Sequence, residues 1–327
     1  MTEIGIEEIH ERINQMRSED PGYTYVRPFS TAAESLIEVV TNVDGRWMFG
    51  LSEIDMLVRG VGPGELMYVT GVSHSGKTQV VLQSLVNNPD ARVILFTPDE
   101  VDSLILTKLI GINHGVNGEI LERQIKDGDP RALEMVRRVA TETFANLVVI
   151  DNTLNFQQMS VAVAEATLMW GGLPPQVVIV DFLELLPGDG ESDGVQWKSQ
   201  ELKRWCKAEE VPVICIHQAS RSSGKRGQGR GMEGMRYGGE NDAIFVLEVF
   251  RKSEDKDLED IERERLANTV TVAVVKNKRP PSRKGESDLY LDPDAGFVRS
   301  LKPSDLMIQR RGADRVLEIQ GSGNGSF

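Results

Sequence analysis

Residues 71–78 read Gly71-Val72-Ser73-His74-Ser75-Gly76-Lys77-Thr78 and match the phosphate-loop pattern G-x-x-x-x-G-K-[S/T] at every fixed position. The octapeptide lies between the apolar run 66–70 and another that begins at Val80, which is the strand–loop–helix context that the pattern requires. Glycines let such a loop turn its N–H groups towards phosphate oxygens, and the N-terminus of the following helix favours the same anion. The sequence therefore predicts that residues 71–78 bind the phosphates of a nucleotide.

Two side chains of this loop have separate predicted roles. Lys77 is expected to reach the β- and γ-phosphates, and the Thr78 hydroxyl is expected to bind Mg²⁺. The alternative is a glycine-rich turn that binds nothing. Lys and Thr gain little from packing at these two positions, so we favour a site whose ligands are ATP and Mg²⁺.

The composition is that of a globular protein without membrane segments. The chain has 327 residues, of which 40% are hydrophobic, and a formal net charge of −13. No apolar run approaches the ~20 residues that span a bilayer, and the first residues do not resemble a signal peptide, so we expect a cytoplasmic protein. Cys206 and Cys215 lack metal-ligand spacing and are expected to be buried thiols. The acidic charge argues against a uniformly basic surface, but a local basic segment could still bind nucleic acid.

Three segments are predicted along the chain. Residues 1–45 are expected to form a helical arm, because isoleucines at helical spacing predict a helix over 3–17, and Ser30 or Thr31 can cap a second helix that runs to Val40. Residues 46–303 form the predicted core. Residues 304–327 are a predicted C-terminal extension, whose Gly- and Ser-rich end is typical of a flexible tail.

The predicted core alternates between strands and helices. Apolar, β-branched runs suit strands that are buried on both faces of a parallel sheet. The predicted strands lie within 66–70, 93–96, 147–150, 177–180, 213–216, 244–247 and 270–275, and the predicted helices around 101–111, 131–144, 157–170 and 196–210. We therefore predict an α/β fold with a doubly wound, largely parallel sheet and flanking helices.

Acidic residues follow two of these strands. Asp181 comes directly after 177–180, where a carboxylate can hold Mg²⁺ together with Thr78; capping of the next segment is the alternative. Many nucleotide hydrolases place a glutamate next to this aspartate to activate water, but Phe182 cannot accept a proton. The predicted base is therefore Glu100, with Asp99 as its rival, since both follow the strand 93–96. The alternative for this pair is to begin a helix after Pro98.

A neutral amide and a basic segment follow the strand 213–216. Gln218 is predicted to hydrogen-bond the γ-phosphate or the attacking water and to transmit its loss to the chain that follows. That chain, residues 219–239, is rich in glycine and serine and contains one acid among its cations. We expect it to bind the phosphates of single-stranded DNA, and a merely solvated loop is the alternative. The predicted DNA-binding residues are Arg221, Lys225, Arg226, Arg230 and Arg236.

Three cations follow the strand 270–275. Lys276, Lys278 and Arg279 precede a pair of prolines and could form an ordinary solvated turn. We favour a catalytic role, in which a cation enters the active site of a neighbouring subunit as an arginine finger does.

In this order, the motifs resemble those of a known family. From about Phe49 to Leu301 the chain resembles the RecA-fold motor domain of DnaB-type replicative helicases, the hexameric ring helicases of superfamily four. The resemblance implies a RecA-like P-loop ATPase core, a ring or filament of subunits, and ATP sites between neighbouring subunits. The segments that carry it are 49–55, 64–66, 71–78, 96–100, 181–186, 211–218 and 276–279.

The chain departs from the family's pattern at several positions. The family glutamate aligns by direct count with Asp99 and leaves Glu100 one place on. The family's Lys-x-Arg finger pair aligns with Lys276 and Lys278, which leaves Arg279 displaced by one. The family commonly has Tyr and Gln at two further positions, where this chain has Phe182 and Glu184.

Three functions fit these features. The leading hypothesis is an ATP-dependent DNA motor, a helicase that moves on single-stranded DNA and contacts other replication or repair proteins. The second is a RecA- or RadA-like recombination or repair ATPase, which forms filaments and unwinds little forked DNA. The third resembles the KaiC group, a regulatory ATPase without nucleic acid, whose ATP turnover DNA does not stimulate.

Overall fold

The computed structural model describes residues 28–42, 45–188, 194–218 and 241–305. The chain divides into two compact units, Met1–Val43 and Asp44–Phe327. The described helix of the first unit, α1 (Thr31–Thr41), lies where the sequence predicts the second helix of the arm. Ser30 already has helical backbone angles and makes no side-chain cap, whereas the Thr31 hydroxyl donates to the carbonyl of Pro28 at 2.7 Å. The predicted helix over 3–17 and the predicted tail after 305 lie outside the described residues, and the boundaries 1–45, 46–303 and 304–327 stay predictions.

The second unit is organised around one sheet, which has nine strands in the described part of the chain. The spatial order is β3-β2-β4-β5-β1-β6-β7-β8-β9, in which the neighbours from β3 to β6 are parallel and those from β6 to β9 antiparallel. The strands are β1 Leu66–Gly71, β2 Val93–Phe96, β3 Leu147–Ile150, β4 Val177–Val180, β5 Val213–Gln218, β6 Phe245–Phe250, β7 Thr269–Asn277, β8 Gly285–Leu291 and β9 Val298–Ser300. The largely parallel sheet is confirmed. The sequence analysis missed β8 and β9, which lack a continuous apolar run.

Helices cover both faces of this sheet. Successive residues of each parallel strand point to opposite faces, so that Met67 and Val69 pack in one apolar cluster and Leu66 and Tyr68 in another. The first cluster includes residues of α2 to α6, and the second residues of α7 and α8. The helices are α2 Ser52–Val58, α3 Lys77–Val86, α4 Asp102–His114, α5 Gly118–Lys126, α6 Pro130–Arg138, α7 Phe156–Met169, α8 Val195–Glu209 and α9 Asp260–Arg265. Helices on both faces confirm the predicted doubly wound arrangement.

Strand register determines which residues meet at each edge of the sheet. The pairs Phe96 with Val180 and Gly71 with Gln218 align the carboxyl ends of adjacent parallel strands. The residues that follow β2, β4, β5 and β1 are therefore brought to one edge. Because β7 is antiparallel, with Asn277 opposite Phe245, the chain that follows β7 leaves from the opposite edge.

Two further findings bear on the sequence analysis. Cys206 and Cys215 are buried free thiols, as predicted. Of the helices that the structure describes, none combines the length and the apolar character needed to cross a bilayer.

Candidate nucleotide site

The phosphate loop lies very close to strand β6. Gly71 has φ 155°, and a Cβ added there would lie 2.2 Å from the carbonyl oxygen of Val249. Gly76, with φ 100°, precedes α3 and adds no side-chain cap to that helix. Glycine is therefore required at Gly71 by a backbone contact, and it leaves the N–H groups of the loop and of the first helical turn unobstructed.

Lys77 is buried inside this loop, with 7% of the residue exposed. Its Nζ donates to the carbonyl oxygens of Gly71 at 2.9 Å and Val72 at 2.8 Å, which uses two of the three ammonium N–H donors. Burial lowers the pKa of Lys77 to about 8, although the carboxylates of Asp181 and Glu184 oppose this decrease. Phosphate oxygens fit this environment, because a nearby anion restores the stability that burial removes from the charged ammonium.

A second observation supports phosphate binding by the loop. The hydroxyl Oγ of Ser75 is buried and has no hydrogen-bond partner among the described residues. Buried polar atoms are nearly always paired, so this hydroxyl fits a loop whose partner is a ligand.

Thr78 and Asp181 lie together beside the loop. The Thr78 hydroxyl donates to Asp181 Oδ2 at 3.2 Å. Burial raises the pKa of Asp181 to about 6, and the negative charge of Glu100 adds to the increase. Carboxylate and hydroxyl oxygens are ligands that Mg²⁺ accepts, and a buried carboxylate near a second carboxylate favours a bound cation. The residues present therefore fit the predicted metal role of Thr78 and Asp181.

The two acidic residues after β2 have different surroundings. Both carboxylate oxygens of Glu100 accept hydrogen bonds from Lys108 Nζ on α4, and the charge of Glu100 acts on Asp181. Asp99 is exposed in the turn before Glu100. The contacts favour Glu100 as the residue directed at the site, and its role as base stays a prediction. The role of Lys108 was not predicted, although its position in the second turn of the helix that follows Glu100 allows the contact.

Gln218 ends β5 beside the first residue of the loop, since it pairs in register with Gly71. Its backbone N–H donates to Oε1 of Glu184 at 3.0 Å, and the same oxygen lies 3.8 Å from Nδ1 of the buried His217. Burial raises the pKa of the Glu184 carboxyl. Sequence analysis noted Glu184 only as a departure from the family and missed this contact.

The predicted DNA-binding residues Arg221, Lys225, Arg226, Arg230 and Arg236 lie outside the described residues, but the chain on both sides is described. After the gap, Asp242 Oδ2 accepts a hydrogen bond from Ser199 Oγ at 2.8 Å. The hydroxyl of Tyr68 on β1 donates to the same Ser199 Oγ at 2.8 Å. Gln218 therefore precedes the gap beside the phosphate loop, whereas Asn241 and Asp242 follow it near the start of β6, towards the opposite edge of the sheet.

The three cations after β7 have different contacts within the chain. Arg279 Nη1 donates to the carbonyl oxygens of Val58 at 2.9 Å, Arg59 at 2.9 Å and Gly60 at 2.7 Å. Its Nη2 forms an ion pair with Glu65.

The two lysines contrast with this arrangement. Lys276 is buried, and the exposed Lys278 donates from Nζ to the carbonyl of Asn241 at 3.2 Å. Arg279 thus anchors the segment to the end of α2, and Lys278 presents its side chain at the surface.

Comparisons with known proteins agree with these motifs. The family model described as DnaB-like helicase C terminal domain matches residues 48–290. Replicative DNA helicase DnaB of Mycoplasma genitalium is 24% identical over 283 residues, which cover 78% of this chain and 56% of the relative. Replicative DNA helicase DnaB of Geobacillus stearothermophilus is 25% identical over 263 residues, which cover 75% of this chain and 55% of the relative. The chain therefore spans just over half the length of these curated relatives.

Solved structures share the fold. A DnaB-like replicative helicase, described with its interactions with primase, aligns with a TM-score of 0.67 and 18% identity over 91% of this chain and 72% of that one. A KaiC-like protein from Pyrococcus horikoshii aligns with a TM-score of 0.51 and 15% identity over 77% of this chain and 98% of that one. The predicted RecA-like fold and the predicted resemblance to DnaB-type helicases are both confirmed.

Replacement of Gly71 by alanine tests the close contact between the loop and β6. The added Cβ would lie 2.2 Å from the Val249 carbonyl oxygen, so the loop must shift and its N–H groups lose their alignment. We expect the affinity for a fluorescent ADP analogue, measured by titration, to fall by about 10-fold or more, or ~1.4 kcal/mol.

The matched control is Gly128→Ala, between α5 and α6. Gly128 also has positive φ, 73°, but an added Cβ would meet no atom within 4 Å. This variant should show only backbone strain and unchanged ADP affinity. Equal affinities for wild type and Gly71→Ala would contradict the assigned role of Gly71.

Proposed function

Because the chain belongs to the DnaB-like helicase C-terminal domain family, we propose that it is the ATPase motor of a ring-forming DNA helicase, which moves on single-stranded DNA. The observation that carries this proposal is one row of side chains along a single sheet edge. Lys77, Thr78, Asp181, Glu100 and Gln218 supply the phosphate-binding, metal-binding, proton-accepting and sensing groups that ATP hydrolysis requires.

Each side chain contributes one part of the proposed reaction. Lys77 binds and neutralises the β- and γ-phosphates of ATP, and Thr78 and Asp181 hold Mg²⁺. The metal supplies positive charge at the phosphate oxygens when it is bound. Water attacks the γ-phosphorus while Glu100 accepts its proton, and the bond to the β-phosphate oxygen breaks to release ADP and phosphate.

The ion pair with Lys108 bears on the timing of this step. Both carboxylate oxygens of Glu100 accept hydrogen bonds from Lys108 Nζ, and these contacts compete with a hydrogen bond from the attacking water. We expect Glu100 to turn one oxygen away from Lys108 before it accepts the proton. Gln218 lies beside Gly71. Its side-chain amide donates a hydrogen bond to the γ-phosphate and changes partner when that group leaves.

The position of Lys278 supports action in a neighbouring subunit. The phosphate loop contacts Val249 near the end of β6, whereas Asn277 pairs with Phe245, the first residue of β6. At about 3.3 Å per residue, Val249 and Phe245 are separated by roughly 13 Å along β6. Lys278 lies beyond Asn277, farther from the phosphate loop. A lysine there does not reach the phosphates of its own subunit.

The proposed partners are single-stranded DNA, further copies of the chain and other replication proteins. Residues 219–240 follow Gln218, which lies beside the nucleotide site, so that their cations can respond to ATP. A helicase with the same fold is described with primase, and we propose a replication protein of this kind as a partner here. A RecA/RadA-like filament and a KaiC-like regulator are less well supported, although the KaiC-like neighbour shares the fold.

The first test is ATP turnover with and without single-stranded DNA. Lys77→Ala and Asp181→Ala remove charge at the β- and γ-phosphates, and we expect Lys77→Ala to lower turnover by at least ~10²-fold. Asp181→Ala should raise the Mg²⁺ concentration needed for half-maximal turnover. Lys126→Ala removes an exposed cation at the end of α5 and should behave as wild type. Normal turnover in Lys77→Ala would refute the ATPase assignment.

The second test asks whether the site is shared between subunits. Lys278→Ala should leave nucleotide binding intact and lower turnover by about 10³-fold, the lower range for a cation donated in trans. Arg279 is kept, since it anchors the segment within its own chain. Lys284→Ala, an exposed cation on the same hairpin, is the control.

Mixing of two inactive proteins gives the decisive result. Lys278→Ala subunits retain the phosphate loop, and Lys77→Ala subunits retain Lys278, so a mixed assembly contains some complete sites. We expect measurable turnover after mixing with verified subunit exchange. If none returns, Lys278 acts within one chain or belongs to a solvated turn.

The third test concerns the basic segment. Replacement of Arg221, Lys225, Arg226 and Arg230 by alanine should weaken binding of labelled oligo-dT and lower the slope of log K against log[salt] by about 0.7 for each phosphate that the variant no longer binds. Basal ATP turnover should persist. The matched control neutralises four exposed arginines of α5 and α6, namely Arg123, Arg131, Arg137 and Arg138. An equal slope in wild type and the segment variant would place the DNA-binding residues elsewhere.

A further inference from the structure

Glu184 connects two of the site's predicted functional residues. It lies in a short 3₁₀ turn, Leu183–Leu185, that begins two residues after Asp181. Its Oε1 accepts the backbone N–H of Gln218 at 3.0 Å. One short segment therefore links the predicted metal ligand at the end of β4 to the predicted sensor at the end of β5.

The surroundings of this turn make the link stiff. Leu183 is fully buried and Leu186 almost so, and Lys198 Nζ of α8 donates to the backbone carbonyl of Glu184 at 2.9 Å. Packed elements of this kind move as units rather than bending continuously. A displacement of Asp181 would therefore move the Glu184 carboxylate and, through its hydrogen bond, the backbone of Gln218.

The hydrogen bond to Gln218 is also the last described contact before residue 219. Gln218 pairs with Gly71 in β1, so the position of its backbone affects both the phosphate side and the chain that follows. The second carboxylate oxygen, Oε2, is buried without a hydrogen-bond partner among the described residues. A buried oxygen without a hydrogen bond lowers the stability of the fold. Glu184 is therefore not explained by stability alone, which favours a functional role for the hydrogen bond that its Oε1 accepts.

We propose that Glu184 is a positioning residue, which holds the backbone of Gln218 and thereby couples the nucleotide bound beside Asp181 to the DNA affinity of the segment that begins at residue 219. This inference rests on the proposed function. Glu184 contacts no reacting atom in this proposal and acts through Gln218. Its essential property is the oxygen acceptor for the N–H of Gln218, rather than its negative charge.

The experiment measures coupling at equilibrium. The Kd for labelled oligo-dT is determined with and without AMP-PNP, and the ratio of the two values gives the coupling, which is typically about 5- to 150-fold between allosterically linked sites. Glu184→Gln keeps an oxygen acceptor, whereas Glu184→Met has a similar length and no acceptor. We expect Glu184→Gln to retain the wild-type ratio and Glu184→Met to bring it close to one, with the Kd for AMP-PNP and the KM for ATP little changed. Glu122→Met, an exposed position on α5, is the control.

Other results would overturn the inference. A wild-type ratio in Glu184→Met would show that the contact does not couple the sites, and a ratio near one in both Glu184 variants would show that charge matters instead of the acceptor. Glu184→Ala replaces Glu184→Met in these comparisons if the latter does not fold. A wild-type protein whose oligo-dT affinity does not respond to AMP-PNP, or that binds no oligo-dT, would refute the proposed function itself, so the two failures are distinguishable.

Discussion

The site depends on the register of four parallel strands. Because β2, β4, β5 and β1 are adjacent and parallel, the residues that follow each strand meet at one edge of the sheet. The contact between Gly71 and Val249 then fixes the phosphate loop against the next strand, β6. A shift of one residue in any of these strands would reverse which side chains face each helical layer. The alternation of buried side chains along the strands fixes their register, and this register determines the geometry of the site as well as the packing of the core.

Burial and charge oppose each other throughout this edge. Lys77 and Asp181 are largely removed from water, which disfavours the charged form of each. Their mutual attraction offsets part of that cost, and phosphates and a divalent cation would offset more. A site of this kind binds its ligands through charges that are fixed before binding, and little reorganisation is then needed during reaction.

Features that depend on neighbouring residues in the sequence were predicted, whereas contacts between distant parts of the sequence were not. Strands β1 to β7 and the phosphate loop were predictable because their patterns are local. Lys108 was missed because a lysine on a helix is usually solvated. The contacts of Arg279 were not predicted, because its partners, Val58 to Gly60 and Glu65, lie more than two hundred positions earlier in the sequence. No periodicity or motif signals such a contact.

The anchoring of Arg279 bears on how subunits assemble. A guanidinium has a planar set of donors, and here it holds the end of β7 against the end of α2 through three carbonyls. The segment that carries Lys278 is thereby fixed at the edge of the sheet opposite the phosphate loop. Under the proposed function, the nucleotide site at one edge and Lys278 at the other would bring a second copy into a head-to-tail interface. Such an interface closes into a ring when its rotation allows closure and otherwise extends as a filament. In the proposed assembly, ring and filament would use the same two edges, and the rotation between subunits would decide between them.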